Sequence, residues 1–299
     1  MTEGPDIRPL IVIYPGNESL GRALAAALSA DAAALTMRQF PDEESYVRLA
    51  DACDGRDVIL VASLDRPNPK LLPLLFLADL AHELHARRVI LVAPYLAYMR
   101  QDTRFKPGEA VTSRSFAKLL AGAFDALVTI DPHLHRYDTL ADLYSVPTQV
   151  IHASPLVAEW IRSQVERPLL VGPDSESEQW VADVARRAAV PYVVLEKTRR
   201  GDRDVEVSVP DLGRWKNHQP VLVDDIISTA RTMIETVKHL NGTPLAAPIC
   251  VGVHAVFAGD AHRALQVAGA ARVVTTNTIA HESNEIDVSG ALAAAVGRT

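Results

Sequence analysis

The chain is poor in several things that would assign it to a specialised class. It has two cysteines among 299 residues, Cys53 and Cys250, nearly 200 positions apart. That spacing offers neither a disulfide framework nor a cysteine-based metal site, and both read as small buried residues in a reducing compartment. There is no basic excess: the formal charge is -7. A general nucleic-acid binder is therefore not expected, because such proteins usually carry a positive face. No apolar run approaches the ~18 residues that a membrane span needs, so no membrane partner is expected either. The opening MTEGPDIRPL lacks a basic stretch followed by an apolar one, and so does not read as a secretory signal. These readings together imply a cytoplasmic protein. Long Gly/Ser linkers, low-complexity tracts and short repeats are also missing.

What remains is an ordinary globular composition, with 48% hydrophobic and 22% charged residues, enough to build a full core. The length suggests about two domains at roughly 150 residues each.

Short runs of Val, Ile and Leu recur with room for a helix between them. In the first half they fall at 9–16, 57–64, 88–95 and 126–133. In the second they fall at 168–175, 191–197, 220–227, 249–257 and 272–278. Continuous apolar runs of this length suit strands buried on both faces, as in parallel sheets. Helical periodicity marks 19–30, 113–123, 177–189 and 232–241, and 71–86 is apolar on nearly every side, which predicts a well-buried helix. The alternation predicts an α/β protein with mainly parallel sheets, divided near Ile151 into domains 1–150 and 151–299, with a site between the halves.

One segment carries distinct chemistry. In PVLVDDIISTARTM (220–233) an apolar strand runs into Asp224-Asp225, and a short loop then opens a helix. Loop amides and a helix N-terminus can cradle a phosphate, helped by the hydroxyls of Ser228, Thr229 and Thr232. Two adjacent carboxylates suit the paired hydroxyls of a ribose ring, or a Mg²⁺ bound beside them. Read without context, the same residues make an acidic turn and a Ser/Thr helix cap. The whole string favours a sugar phosphate.

VLVDDIISTART resembles the phosphoribosyl-pyrophosphate loop of the type I phosphoribosyltransferase fold. Further segments narrow the resemblance to the ribose-phosphate pyrophosphokinase family, closest in style to archaeal members. These are FPDEESYVRL (40–49), PYLAYMRQDTRFKPGEAVTSRSFAKLL (94–120), TIDPHLH (129–135), VGPDSE (171–176), LEKTRRGDRDVEV (195–207) and TNTIAHESNEIDVSGALA (276–293).

The resemblance implies two phosphoribosyltransferase-like α/β domains related by a pseudo-twofold. It implies a Mg²⁺-dependent reaction of ATP with ribose 5-phosphate that gives AMP and the 1-diphosphate. Asp224, Asp225, Ser228, Thr229, Ala230, Arg231 and Thr232 would hold ribose 5-phosphate. Phe40, Asp42, Glu44, Arg100 and Gln101 would contact ATP, the first three reaching a neighbouring subunit's nucleotide, which implies a homo-oligomer. His133 and Asp174 would serve the metal, and Lys197 and Arg199 would supply catalytic cations from a mobile loop.

Two departures stand out. Ser175-Glu176-Ser177-Glu178 replaces a stretch where the family carries a glycine pair, and Arg231 stands where the phosphate loop carries glycine. Glycine permits backbone conformations that other residues resist. The alternatives left open are a weak or inactive paralogue that binds ribose phosphates or nucleotides and regulates a partner, or an enzyme with another sugar phosphate or donor.

Overall fold

A computed structural model describes the chain except residues 1–7, 135, 173–176, 201–203 and 209–212 and the side chains of 196–200 and 204–208. It divides into one unit up to Ile151 that also takes Ser289–Thr299, and a second unit, His152–Val288.

In the first unit the order is Leu10–Ile13 (β1), Glu18–Ala27 (α1), Asp31–Ala32 (β2), Leu35–Gln39 (β3), Ser45–Leu49 (β4), Asp57–Val61 (β5), Asn68–Glu83 (α2), Arg88–Ala93 (β6), Thr112–Ala123 (α3), Ala126–Ile130 (β7) and Thr148–Ile151 (β8). In the second it is Ser154–Gln164 (α4), Pro168–Gly172 (β9), Glu178–Ala188 (α5), Tyr192–Val194 (β10), Glu196–Arg200 (β11), Asp204–Ser208 (β12), Gln219–Ile226 (β13), Arg231–Asn241 (α6), Ile249–His254 (β14), Ala261–Val267 (α7), Arg272–Thr276 (β15) and Asn284–Ile286 (β16). The last helix, Ser289–Val296 (α8), belongs to the first unit. The sequence reading had assigned that stretch to the second half.

Each unit holds one six-stranded sheet. The orders are β2-β1-β5-β6-β7-β8 and β10-β9-β13-β14-β15-β16. Counted within its sheet, each is 2-1-3-4-5-6, and every pairing is parallel. An antiparallel hairpin follows the second sheet strand in both cases: β3–β4 in the first unit and β11–β12 in the second. The two units therefore share one topology.

Physical chemistry accounts for the frame. β5, β7, β9 and β14 are buried at every residue, as expected of strands covered by helices on both faces. Close helix-to-strand approach appears at Gly21 of α1, where an added Cβ would stand 2.7 Å from Ile13. At the start of β5, Asp57 receives Arg87 Nε at 2.7 Å and Arg88 Nη2 at 2.6 Å. Arg88 also donates to the Thr299 carbonyl at 3.0 Å, which ties the end of the chain to this sheet. Burial alone would raise the Asp57 pKa, but the hydrogen bonds from Arg87 and Arg88 outweigh it and hold the carboxyl at about 2.

One expectation fails. Helix α2 is not buried all round: Leu74, Leu77, Ala78 and Ala81 are buried, but Leu72 is 59% exposed and Phe76 44%. A helix lying on a sheet covers one stripe only, so its second apolar stripe faces outward. No helix among the described residues is long and apolar enough to cross a membrane.

Candidate functional site

In open parallel sheets, ligands bind beyond the carboxyl ends of the strands, where the strand order reverses. In the second unit that point lies between β9 and β13. Asp224 and Asp225 sit there, half-buried near the end of β13, and the Asp225 amide donates to Asp224 Oδ1 at 3.0 Å.

The loop beyond is pinned by the tail of β14. The Ile227 amide donates to the His254 carbonyl at 3.1 Å, while Phe257 and Ala258 donate to the carbonyls of Ile227 and Ser228 at 2.9 and 3.1 Å. Ile227 is buried, Ser228 half-buried and Thr229 exposed. Ala230 then takes the left-handed conformation, φ 55°, as the N-cap of α6. An alanine there costs about 1–2 kcal/mol relative to a conformation natural to it. Its side chain carries no oxygen, so it cannot cap the first helical amides. Those of Arg231, Thr232 and Met233 precede the first helical bond, from Ile234 N–H to the Ala230 carbonyl at 2.7 Å. Such amides and the helix dipole favour an anion.

The departure at Arg231 takes a different form in three dimensions. Arg231 is the first helical residue and exposed. The position that needs left-handed backbone is Ala230, so Arg231 imposes no backbone strain and adds a cation beside the loop. In the departure at 175–178, Glu178 opens α5, with Ser177 as its N-cap, and a carboxylate in a first helical turn is favourable. Asp174 and Glu176 lie outside the described residues.

Lys197 and Arg199 have described backbone only. They fall on β11, paired with Val207 and Val205 of β12, so the segment read as a loop carries hairpin backbone. Their side chains lie outside the described residues.

In the first unit, Phe40, Asp42 and Glu44 sit at the tip of the β3–β4 hairpin, all exposed. The tip is closed by Phe40 N–H to the Glu44 carbonyl at 2.8 Å and Glu43 N–H to the Phe40 carbonyl at 2.9 Å. A residue that sequence reasoning missed packs against it. The Arg38 guanidinium lies 4.5 Å from the Phe40 ring and 4.3 Å from the Tyr46 ring, measured to the centroids. Arg38 and Tyr46 are direct cross-strand partners, and Phe40 is two residues on from Arg38, on the same face. The alternation Arg-x-Phe opposite Tyr was the available signal.

Arg100 is exposed in the segment after β6, and Gln101 is half-buried. The Gln101 carbonyl accepts from the Ser113 amide at 3.4 Å, and its Oε1 accepts from Thr112 Oγ1 at 3.4 Å. The next residue, Asp102, is buried and lies 3.3 Å from Arg136. That anchor also went unread. His133 follows β7 at φ 34°, two residues after Asp131 at φ 33°, and its amide donates to the Asp131 carbonyl at 2.8 Å. Positive φ is uncommon for residues other than glycine, and here two fall at one strand end.

Comparison with known proteins agrees with this geometry. Residues 10–123 match the N-terminal domain of ribose phosphate pyrophosphokinase, and residues 141–289 match the phosphoribosyl transferase domain. A ribose-phosphate pyrophosphokinase of Methanopyrus kandleri is 33% identical over 280 residues, 93% of this chain and 94% of that protein. One of Methanothermobacter thermautotrophicus is 32% identical, covering 95% of this chain and 98% of that protein. The crystal structure of phosphoribosylpyrophosphate synthetase from Mycobacterium smegmatis superposes with a TM-score of 0.84 at 25% identity, covering 97% of this chain and 98% of that one.

Proposed function

The chain belongs to the ribose-phosphate pyrophosphokinase family, and on that premise we propose that it moves the terminal diphosphate of ATP onto the anomeric hydroxyl of ribose 5-phosphate, leaving AMP. The observation that carries the reading is the β13–α6 connection. It sets two carboxylates, a left-handed turn and an open helix N-terminus in a row, matched to the hydroxyls at one end of the sugar phosphate and the phosphate at the other.

Each group then has a task. The first amides of α6, with the hydroxyls of Ser228, Thr229 and Thr232, hold the 5-phosphate. Asp224 and Asp225 accept from the ribose hydroxyls and so fix the anomeric oxygen. That oxygen bonds to the β-phosphorus of ATP, the bond from the α-phosphate bridge to the β-phosphorus breaks, and the hydroxyl proton leaves to solvent. Negative charge spreads over the phosphoryl oxygens in the transition state, where Lys197 and Arg199 would meet it. Phe40, packed against Arg38, offers a stacking face for the adenine, with Asp42 and Glu44 as acceptors for its amino group. Arg100 and Gln101 complete the nucleotide contacts.

The donor set fits Mg²⁺. Carboxylate oxygens suit a hard cation, and an imidazole suits the water bound to one. Asp174 and His133 would hold the ion, which when bound would neutralise triphosphate charge. We also propose a homo-oligomer working in the cytoplasm. Leu72 and Phe76 give the first unit an outward apolar stripe of the kind subunits cover.

Release of AMP that strictly requires ribose 5-phosphate tests the proposal. Asp225→Asn should raise the KM for the sugar phosphate far more than that for ATP. ATP turnover indifferent to ribose 5-phosphate would overturn it.

A further inference from the structure

A second cluster of chemistry-bearing side chains lies outside the groups assigned above. His262 is the second residue of α7, and His281 and Glu282 lie in the turn between β15 and β16. One ligand atom from each falls within 4.8 Å of the other two. His262 Nδ1 stands 3.0 Å from Glu282 Oε1, which sets a good nitrogen ligand beside a good oxygen ligand. We propose that this triad is a binding site for a divalent transition-metal ion of the zinc class, distinct from the Mg²⁺ of the pyrophosphoryl transfer.

The donor set chooses the ion. Two imidazoles and one carboxylate match Zn²⁺ and its neighbours, whereas Mg²⁺ and Ca²⁺ prefer all-oxygen shells. Tetrahedral zinc with bonds of about 2.0–2.1 Å sets its ligands roughly 3.3 Å apart. The His262–Glu282 pair is already near that separation, and the third ligand needs a modest swing. Three protein ligands leave a fourth position for water.

The surroundings hold the ligands in place. The Phe257 ring packs against both imidazoles, at 5.1 Å from His262 and 4.6 Å from His281, and the two imidazoles lie 4.8 Å apart edge to face. His262 has a side chain only 15% exposed. His281 turns Nδ1 toward Ser283, with Oγ at 2.8 Å and the amide at 3.1 Å, and this leaves Nε2 for the ion. The Ser283 hydroxyl lies 2.8 Å from Thr275 Oγ1, which also accepts from Asn284. When the ion binds Nε2, Nδ1–H donates to Ser283 Oγ in place of the present amide contact. A ligating histidine normally has such a second partner. Burial and the nearby His262 lower the His281 pKa.

The test is calorimetric titration of the full-length chain with ZnCl₂ in magnesium-free buffer without nucleotide or sugar phosphate. The expected result is one saturable ion per chain. His262→Gln and Glu282→Gln should each weaken binding on the order of 10–100-fold or more, and Asp224→Asn should leave it unchanged. Glu282 is 76% exposed, so its variant keeps the fold. Absence of saturable binding, binding unchanged in both variants, or binding lost instead in Asp224→Asn would overturn the proposal.

Discussion

Gly252 offers the sharpest test of how the fold holds the phosphate loop. It lies in β14 directly beside Asp224. A Cβ built on it would stand 2.6 Å from both Cγ1 and Cδ1 of Ile227 but 3.7 Å from Cβ of that residue. Ile227 is 1% exposed and hydrogen-bonded at both amide and carbonyl, so its backbone is fixed and its buried side chain must change rotamer against close-packed neighbours to make room. Gly252→Ala should therefore destabilise by about 1–3 kcal/mol, as overpacking does, and should weaken ribose 5-phosphate binding. Ile227→Ala alone should destabilise by about 2–5 kcal/mol. In that background the clash is gone and the new methyl fills part of the cavity. Gly252→Ala should then stabilise by roughly 1 kcal/mol, from about 0.8 for the buried carbon plus the relief of glycine's conformational freedom. The predicted sign of one substitution thus reverses with its neighbour. Urea unfolding read by tryptophan fluorescence is the assay, because Trp160, Trp180 and Trp215 all lie in the second unit. Equal effects of Gly252→Ala in both backgrounds would refute the packing argument.

The Asp57 carboxyl is held at about 2 against a usual 3.8. It therefore contributes about 2 kcal/mol of stability that is present above pH ~4 and lost as the pH falls toward ~2. In calorimetry, Asp57→Asn should be less stable than the parent at pH 7, and the gap should close near pH 2. Arg38→Ala removes the cation between two rings, for about 1 kcal/mol. It should raise the KM for ATP roughly fivefold with kcat nearly unchanged, as steady-state kinetics would show. Ala230→Gly should relieve the left-handed strain and raise stability by up to about 1 kcal/mol, measured by the same tryptophan-detected unfolding.

The frame was legible because each central strand is apolar along its whole length. All nine runs singled out in the sequence overlap a strand. β2, β8 and β16 are short edge or near-edge strands with little apolar content, and gave no such signal. TRRGDR reads as a loop because charge alternation masks hairpin pairing, although β11 and β12 pair over five residues. The phosphate loop was legible as a string, but its strained residue was not. The sequence pointed to Arg231, whereas backbone geometry puts the left-handed turn one residue earlier. Arg38 emerges only once the register sets it opposite Tyr46. The His262–His281–Glu282 cluster joins residues about twenty positions apart, which no local pattern reveals.

The central claim is the reaction itself. Phosphorus NMR of the protein with ATP, Mg²⁺ and ribose 5-phosphate should show AMP growing together with a diphosphate on the anomeric carbon, and neither without the sugar phosphate. ATP that stays intact while its resonances broaden would contradict the account and leave a protein that binds nucleotide without turning it over.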